Sequence, residues 1–303
     1  MASVRETTLT DSEGVLLEPE GATTGVLVLS GSSGRIETDR CRMLASHGVA
    51  AASIRYFGGP GQPGEARLIP LETFDDVLAD LHARYQRLVV LGTSWGAQAA
   101  LLLGTLHPEI DAVVGISPTY VSWAGLSDER PQRSSWTLRG EPVPFVPFDD
   151  EAIEDAVKEA EATGVRSSGE LARPLAPSEG ASARSAHGEL PSFCEAYLSA
   201  LEKYADRVPA ATIPVERIAG EVVLVAGGGD ALWPSVLSAE AVRRRRTAHD
   251  LETIVVTHPD AGHRVVLPGE PVLPLSQRLA WGGSEAADRE LGLLAWPEIA
   301  AIL

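Results

Sequence analysis

Residues 88–104 read LVVLGTSWGAQAALLLG, and their order decides the fold. An aliphatic run of strand type ends at Gly92, a serine stands between two glycines, and an Ala- and Leu-rich stretch of helix type follows. Gly92-Thr93-Ser94-Trp95-Gly96 fits the G-x-S-x-G pattern of a strand–turn–helix that exposes its serine at the end of a sheet. The spacing has a steric reason. A turn this sharp crowds the residues two before and two after the serine, so neither tolerates a side chain, and the serine itself sits in a sparsely allowed backbone region. The helix that follows aims its positive end at the hydroxyl. The competing reading is a serine that merely N-caps the helix.

The flanks repeat the same rhythm. TGVLVLS (24–30) reads as a buried parallel strand, followed by the glycine-serine loop GSSG (31–34) and a helix over about 35–47. VAAASIRYF (49–57) is the next strand and opens into GGPGQPG, which cannot be regular structure. Pro70 starts an amphipathic helix with Leu71, Phe74, Val77, Leu78 and Leu81 on one face. DAVVGIS (111–117), EVVLVAGGGD (221–230) and LETIVVTH (251–258) are further strands, with helices over about 234–246 and 284–302. VRETTL and VLLEP, joined by the DSEG turn, form a hairpin before the main sheet. Strand–helix alternation of this kind demands a mostly parallel sheet with right-handed crossovers.

Between Pro118 and about residue 210 the rhythm breaks, with no strong strand. The stretch holds an acidic helix over 148–162, a flexible segment over 177–191, and a helix with Phe193, Tyr197, Leu198, Leu201 and Tyr204 on one side. An insertion of this length inside a wound sheet is read as a cap over the carboxyl ends of the strands. The expectation is one α/β domain over 1–303, with the core at about 1–118 and 211–303 and a helical cap at about 119–210.

A serine needs a base, and the base needs an acid to orient it. On this architecture the order is serine, acid, histidine, each just past a strand. Asp230 ends the strand EVVLVA through GGGD, although an aspartate there also suits a turn. Of His258, Asp260 and His263, His258 ends a strand before Pro259 and reads as a packed or turn residue. His263 follows Ala261-Gly262 on a loop that can swing to Ser94. His47, His82, His107, His187 and His249 read as solvated. An oxyanion hole needs two backbone N–H groups about 3 Å from the developing charge. Trp95 supplies one, and the GSSG loop the other, through Ser32 with Ser33 next. Ser33, Trp95 and Trp233 are the acyl-pocket candidates. GSSG lacks the spacing of a phosphate loop.

The net charge of −17 speaks against nucleic acid or an anionic membrane as partner. Cys41 and Cys194 form no ligand or redox spacing, so neither a metal nor a cofactor is expected. The N-terminus has no apolar leader, and no apolar run approaches the roughly 18 residues of a membrane span. A cytoplasmic protein is expected. The basic run Arg243–Arg246 ends a helix, where cations complement the dipole.

With these residues in hand, the chain resembles the catalytic domain shared by acyl-CoA thioesterases and bile acid-CoA:amino acid N-acyltransferases, an α/β-hydrolase. Similar stretches appear in order: GVLVLSGSSG (25–34), LASHGVAAASIRYFGGPG (44–61), IPLETFDDVLADL (69–81), IPVERIAGEVVLVAGGGDALWPS (213–235), AGHRV (261–265) and WGG (281–283). The resemblance implies an α/β-hydrolase fold and Ser94, Asp230 and His263 as a triad. Its animal members carry a β-sandwich domain ahead of the catalytic one. Only about 20 residues precede the first strand here, so no such N-terminal domain is expected. The proline- and aromatic-rich segment after the histidine is replaced by VVLPGEPVLP. Its amidating branch typically uses cysteine in place of the serine. The resemblance therefore implies a serine hydrolase of an acyl thioester or ester. The alternatives are an acyltransferase or cyclase with the same triad, and a non-catalytic ligand-binding hydrolase fold. Substrates in play are CoA thioesters, carrier-protein thioesters and neutral natural-product esters, since a chain this acidic repels polyanionic CoA.

Overall fold

The computed structural model describes residues 3–9, 13–127, 129–152, 192–272 and 279–303. Its strands in chain order are β1 (Val4–Leu9), β2 (Gly14–Pro19), β3 (Thr24–Leu29), β4 (Ala50–Ile54), β5 (Ile69–Pro70), β6 (Arg87–Thr93), β7 (Ala112–Ile116), β8 (Trp136–Leu138), β9 (Glu141–Pro142), β10 (Glu221–Gly227) and β11 (Ile254–His258). The helices are α1 (Thr38–Ser46), α2 (Asp75–Arg84), α3 (Trp95–Leu106), α4 (Cys194–Lys203), α5 (Val208–Ala211), α6 (Ser235–Thr247) and α7 (Glu285–Ala301).

Among the described residues, eight strands form the central sheet in the order β1-β2-β4-β3-β6-β7-β10-β11. β2 pairs antiparallel with both β1 and β4, so the N-terminal hairpin is part of the main sheet rather than a preface to it. From β4 to β11 every neighbouring pair is parallel. This is the mostly parallel, helix-flanked sheet of an α/β-hydrolase.

Strand pleating divides the core into two. Leu27 and Leu29 of β3, Leu88 and Val90 of β6, and Val222 and Leu224 of β10 face the layer of α2, α3 and α6. Val26 and Val28, Val89 and Leu91, and Val223 and Val225 face α1 and α7 on the other side. Because both faces are covered, these strands are continuously apolar in sequence. The amphipathic segment from Pro70 begins as a 3₁₀ turn at Leu71–Phe74 before α2.

The chain between β7 and β10 departs from the all-helical expectation. β8 and β9 build a small second sheet on β5, and Val121, Trp123 and Ala124 make isolated bridges to Thr212, Val146 and Ser134. Strands this short carry no alternation to detect, and they exist because β5 offers an edge. The expected helix bearing Tyr197 is present as α4. Tyr197 packs edge-on against Trp123, Phe148 and Trp233. Residues 150–152 are helical, whereas the rest of the predicted acidic helix (153–162), the flexible segment 177–191 and His187 lie outside the described residues. His107 is less solvated than expected: its ring sits between Asp75 (3.4 Å) and Glu109 (3.1 Å). Among the described residues no helix is long and apolar enough to cross a membrane.

Candidate active site

Ser94 joins β6 to α3 with φ 58° and ψ −118°, and its side chain makes no capping hydrogen bond. The helix is capped instead by the Ser94 carbonyl, which accepts from the Ala97 and Gln98 amides at 2.9 and 3.1 Å. The hydroxyl is left to other work. A methyl group on Gly92 would collide with the carbonyl of Gly96, and one on Gly96 with the carbonyls of Leu29 and Ser30. The glycine spacing is therefore a packing requirement. The amide of Trp95, at the first position of α3, has no acceptor within the helix.

Gly31 lies against the nucleophile turn, its missing methyl 3.3 Å from Ser94 Cβ and 3.7 Å from Ser94 Oγ. The loop holding Ser32 and Ser33 thus starts beside the hydroxyl. Tyr56 pins it by donating its OH to the carbonyls of Ser30 (2.5 Å) and Gly31 (3.2 Å).

Asp230 and His263 are in direct contact. Nδ1 of His263 lies 3.0 and 2.9 Å from the two carboxylate oxygens, and both residues are buried. Asp230 Oδ1 also accepts from the amides of Leu232 (2.9 Å) and Trp233 (3.2 Å), which fixes the carboxylate plane. Behind the pair, backbone meets backbone. A side chain on Gly262 would strike the carbonyl of Gly282, and one on Gly282 (φ 72°) the carbonyl of Gly229. Asp230 and Gly282 form an antiparallel bridge, and the Trp281 carbonyl accepts from the His263 amide at 2.9 Å. WGG thus clamps the acid and base loops together.

Ser94, Asp230 and His263 follow β6, β10 and β11 at the carboxyl ends of the parallel strands. The Ser94 amide donates to Ile116 O at 2.9 Å. The next residue, Ser117 (φ 48°), donates its hydroxyl to the His263 carbonyl at 2.7 Å. The Trp233 ring stacks on Trp95 (centroids 5.4 Å, 16°) and meets His263 edge-on at 5.7 Å. Trp281 covers His263 at 5.9 Å. Trp95 and Trp233 are each 2% exposed, their indole N–H groups bonded to Ser135 Oγ and the Ser117 carbonyl.

Several residues at the site carry no local sequence signal. Ser117 and Asp288 are examples. Asp288, buried at the start of α7, accepts from the Gly262 amide at 2.7 Å. Burial pushes its carboxyl above the usual range, against the opposing pull of that amide. Burial, with a contribution from the Asp230 charge, likewise raises the Cys194 thiol to about 11 and the Tyr197 phenol well above its ordinary value. His258 stands apart from the site, accepting from the Asp260 amide at Nδ1 (3.2 Å) and facing Glu290 at 3.4 Å.

Comparison with known proteins bears on the fold and the family resemblance. Residues 179–303, which hold Asp230 and His263, match the family described as BAAT / Acyl-CoA thioester hydrolase C terminal. The peroxisomal succinyl-coenzyme A thioesterase of Mus musculus is 21% identical over 291 residues, covering 92% of this chain and 59% of that protein. The acyl-coenzyme A amino acid N-acyltransferase 2 of Mus musculus is 24% identical over 293 residues with the same coverage. The chain thus spans about 59% of the length of the curated relatives it matches. Among solved structures, one named m3DLH shares the fold with a TM-score of 0.50 at 15% identity, covering 99% of this chain and 97% of that one. The chain is similar, over most of its length, to the acyl-CoA thioesterases and acyl-CoA amino acid N-acyltransferases.

Proposed function

We propose that this chain is a serine hydrolase that cleaves an acyl thioester or ester through an acyl-enzyme on Ser94. The observation that carries the reading is the buried His263–Asp230 pair at 2.9–3.0 Å, at the same sheet end as a serine held at positive φ. Ser94 Oγ attacks the carbonyl while His263 Nε2 takes its proton. Asp230 holds Nδ1–H and stabilises the imidazolium. The amides of Trp95 and Ser32 receive the oxyanion. Collapse expels the thiolate or alkoxide, which takes the proton from His263, and a water activated by the same imidazole releases the acid.

The names of the relatives support both thioester hydrolysis and transfer to an amine. Transfer is the second reading, favoured by one feature: His263 is only 4% exposed, under Trp233 and Trp281, and a dry site spares an acyl-enzyme from water. Three of the four arginines of the basic run are already engaged, Arg243 with Glu240, Arg245 with Glu216 and Arg246 with backbone carbonyls, which leaves the exposed Arg244 as the run's main offer to CoA phosphates. Carrier-protein thioesters and neutral esters are accordingly substrates of equal standing.

A fluorophosphonate is expected to label wild-type protein at Ser94, and Ser94→Ala to abolish both labelling and turnover. Acyl-CoAs, pantetheine thioesters and aryl esters should be compared, with free acid and transfer product both measured. Diversion of most acyl groups to an added amine would replace hydrolase by transferase. A wild type that neither labels nor turns over any member of the panel would leave a non-catalytic ligand-binding fold.

A further inference from the structure

Under the candidate site, on the α1–α7 side of the sheet, lies a buried ion pair that the proposed chemistry does not use. Arg40 of α1 and Glu270 have side chains only 10% and 9% exposed. The guanidinium contacts both carboxylate oxygens, Nε to Oε1 and Nη2 to Oε2 (3.1 Å). Its remaining arm, Nη1, donates to Thr93 Oγ1 at 2.6 Å. Glu270 Oε2 in turn accepts from the Leu267 amide at 2.9 Å, closing the turn from Leu267 to Glu270. Burial alone would pull the guanidinium down, but Glu270 overrides it and holds Arg40 above its ordinary range.

Three segments meet at this pair. Arg40 belongs to the helix that follows the loop of Ser32 and Ser33. Thr93 directly precedes Ser94. Glu270 closes a turn that begins four residues beyond His263. Desolvation makes a buried ion pair a poor source of net stability compared with apolar side chains of the same size. What it supplies is direction, because bidentate guanidinium–carboxylate bonds tolerate little displacement.

We infer that Arg40 and Glu270 are positioning residues: their buried pair, through the Thr93 hydroxyl, holds the Ser94 turn in register with the loop that carries His263. Neither residue touches substrate. Their effect is on the relative placement of nucleophile and base, where an error of about 1 Å can cost roughly 100-fold in rate. The inference rests on the acyl-enzyme reading above.

The test uses the full chain and two readouts, the rate of fluorophosphonate labelling at Ser94 and kcat against KM for an aryl ester. Thr93→Val removes the hydroxyl without stranding a charge, so the protein is expected to stay folded by urea denaturation. Labelling rate and kcat should both fall by about 10-fold with KM little changed, and Thr93→Ser, which keeps the hydroxyl, should restore them. Glu270→Gln should lower them further, and adding Thr93→Val to it should cost less than the product of the single effects. Three results would overturn the inference while leaving the acyl-enzyme intact: wild-type rates in Thr93→Val, equal loss in Thr93→Ser, or independent effects in the double variant. A wild type that does not label would sink both readings together.

Discussion

Asp230 Oδ1 serves three partners at once, holding the His263 ring and receiving the amides of Leu232 and Trp233. Asparagine can keep the amide bonds with its carbonyl oxygen, but its NH₂ then favours the wrong imidazole tautomer. Asp230→Asn is therefore expected to lose about 10³–10⁴ in kcat, with a melting temperature within a few degrees of wild type. Trp95 behaves differently. By sequence its ring is a candidate wall of an acyl pocket; in the fold it is stacked on Trp233 and its indole N–H is bonded to Ser135 Oγ. Trp95→Ala should cost about 3–5 kcal/mol in urea denaturation, as truncation of a buried indole does, whatever it does to acyl preference. The residues legible in advance were those whose chemistry is local: glycines crowded around a turn, an aspartate and a histidine just past strands. Ser117, Asp288, Arg40 and Glu270 were silent because each acts on a group far away in the chain, and an isolated serine or acid has no pattern.

At the scale of elements, the approach to β10 shows what the basic run does. Arg246 is buried, and its guanidinium donates to the carbonyls of Val215 (2.9 Å), Ile218 (2.7 Å) and Gly220 (3.1 Å), tying the end of α6 to the segment that feeds the acid-bearing strand. Arg245 completes the tie to Glu216. The hydrogen bonds from Arg245 outweigh the desolvation of Glu216 and pull its carboxyl down to about 2. A carboxyl depressed in the folded state stabilises above its unfolded pKa and loses that contribution as pH falls through the folded value. Glu216→Gln should accordingly be less stable than wild type at pH 7, and the gap should close between about pH 4.5 and pH 2. Urea midpoints across that range measure it; a gap independent of pH would mean that shape rather than charge matters there. The sequence placed these arginines at a helix end, where the dipole alone explains them. It did not indicate that one of them is buried.

For the whole molecule, the charge of −17 sets the long-range field. Screening shortens that field from about 30 Å at 10 mM salt to about 10 Å at 0.1 M. If the field governs access, kcat/KM for an acyl-CoA should rise with salt over this range, while a neutral aryl ester should show little change. A fall with salt would instead reveal a local cationic site for the nucleotide. The sequence by itself determined the parallel sheet, the order of its strand–helix units, and the positions of Ser94, Asp230 and His263 relative to strand ends. These follow from hydrophobic period and steric spacing, which are local properties of the chain. Only the tertiary structure decided what holds those positions: the WGG clamp between the acid and base loops, the β5–β8–β9 sheet in the insertion, the burial of Trp95, and the Arg40–Glu270 pair beneath the serine. Each joins residues tens to hundreds of positions apart, and such contacts are set by packing of whole elements rather than by any pattern along the chain.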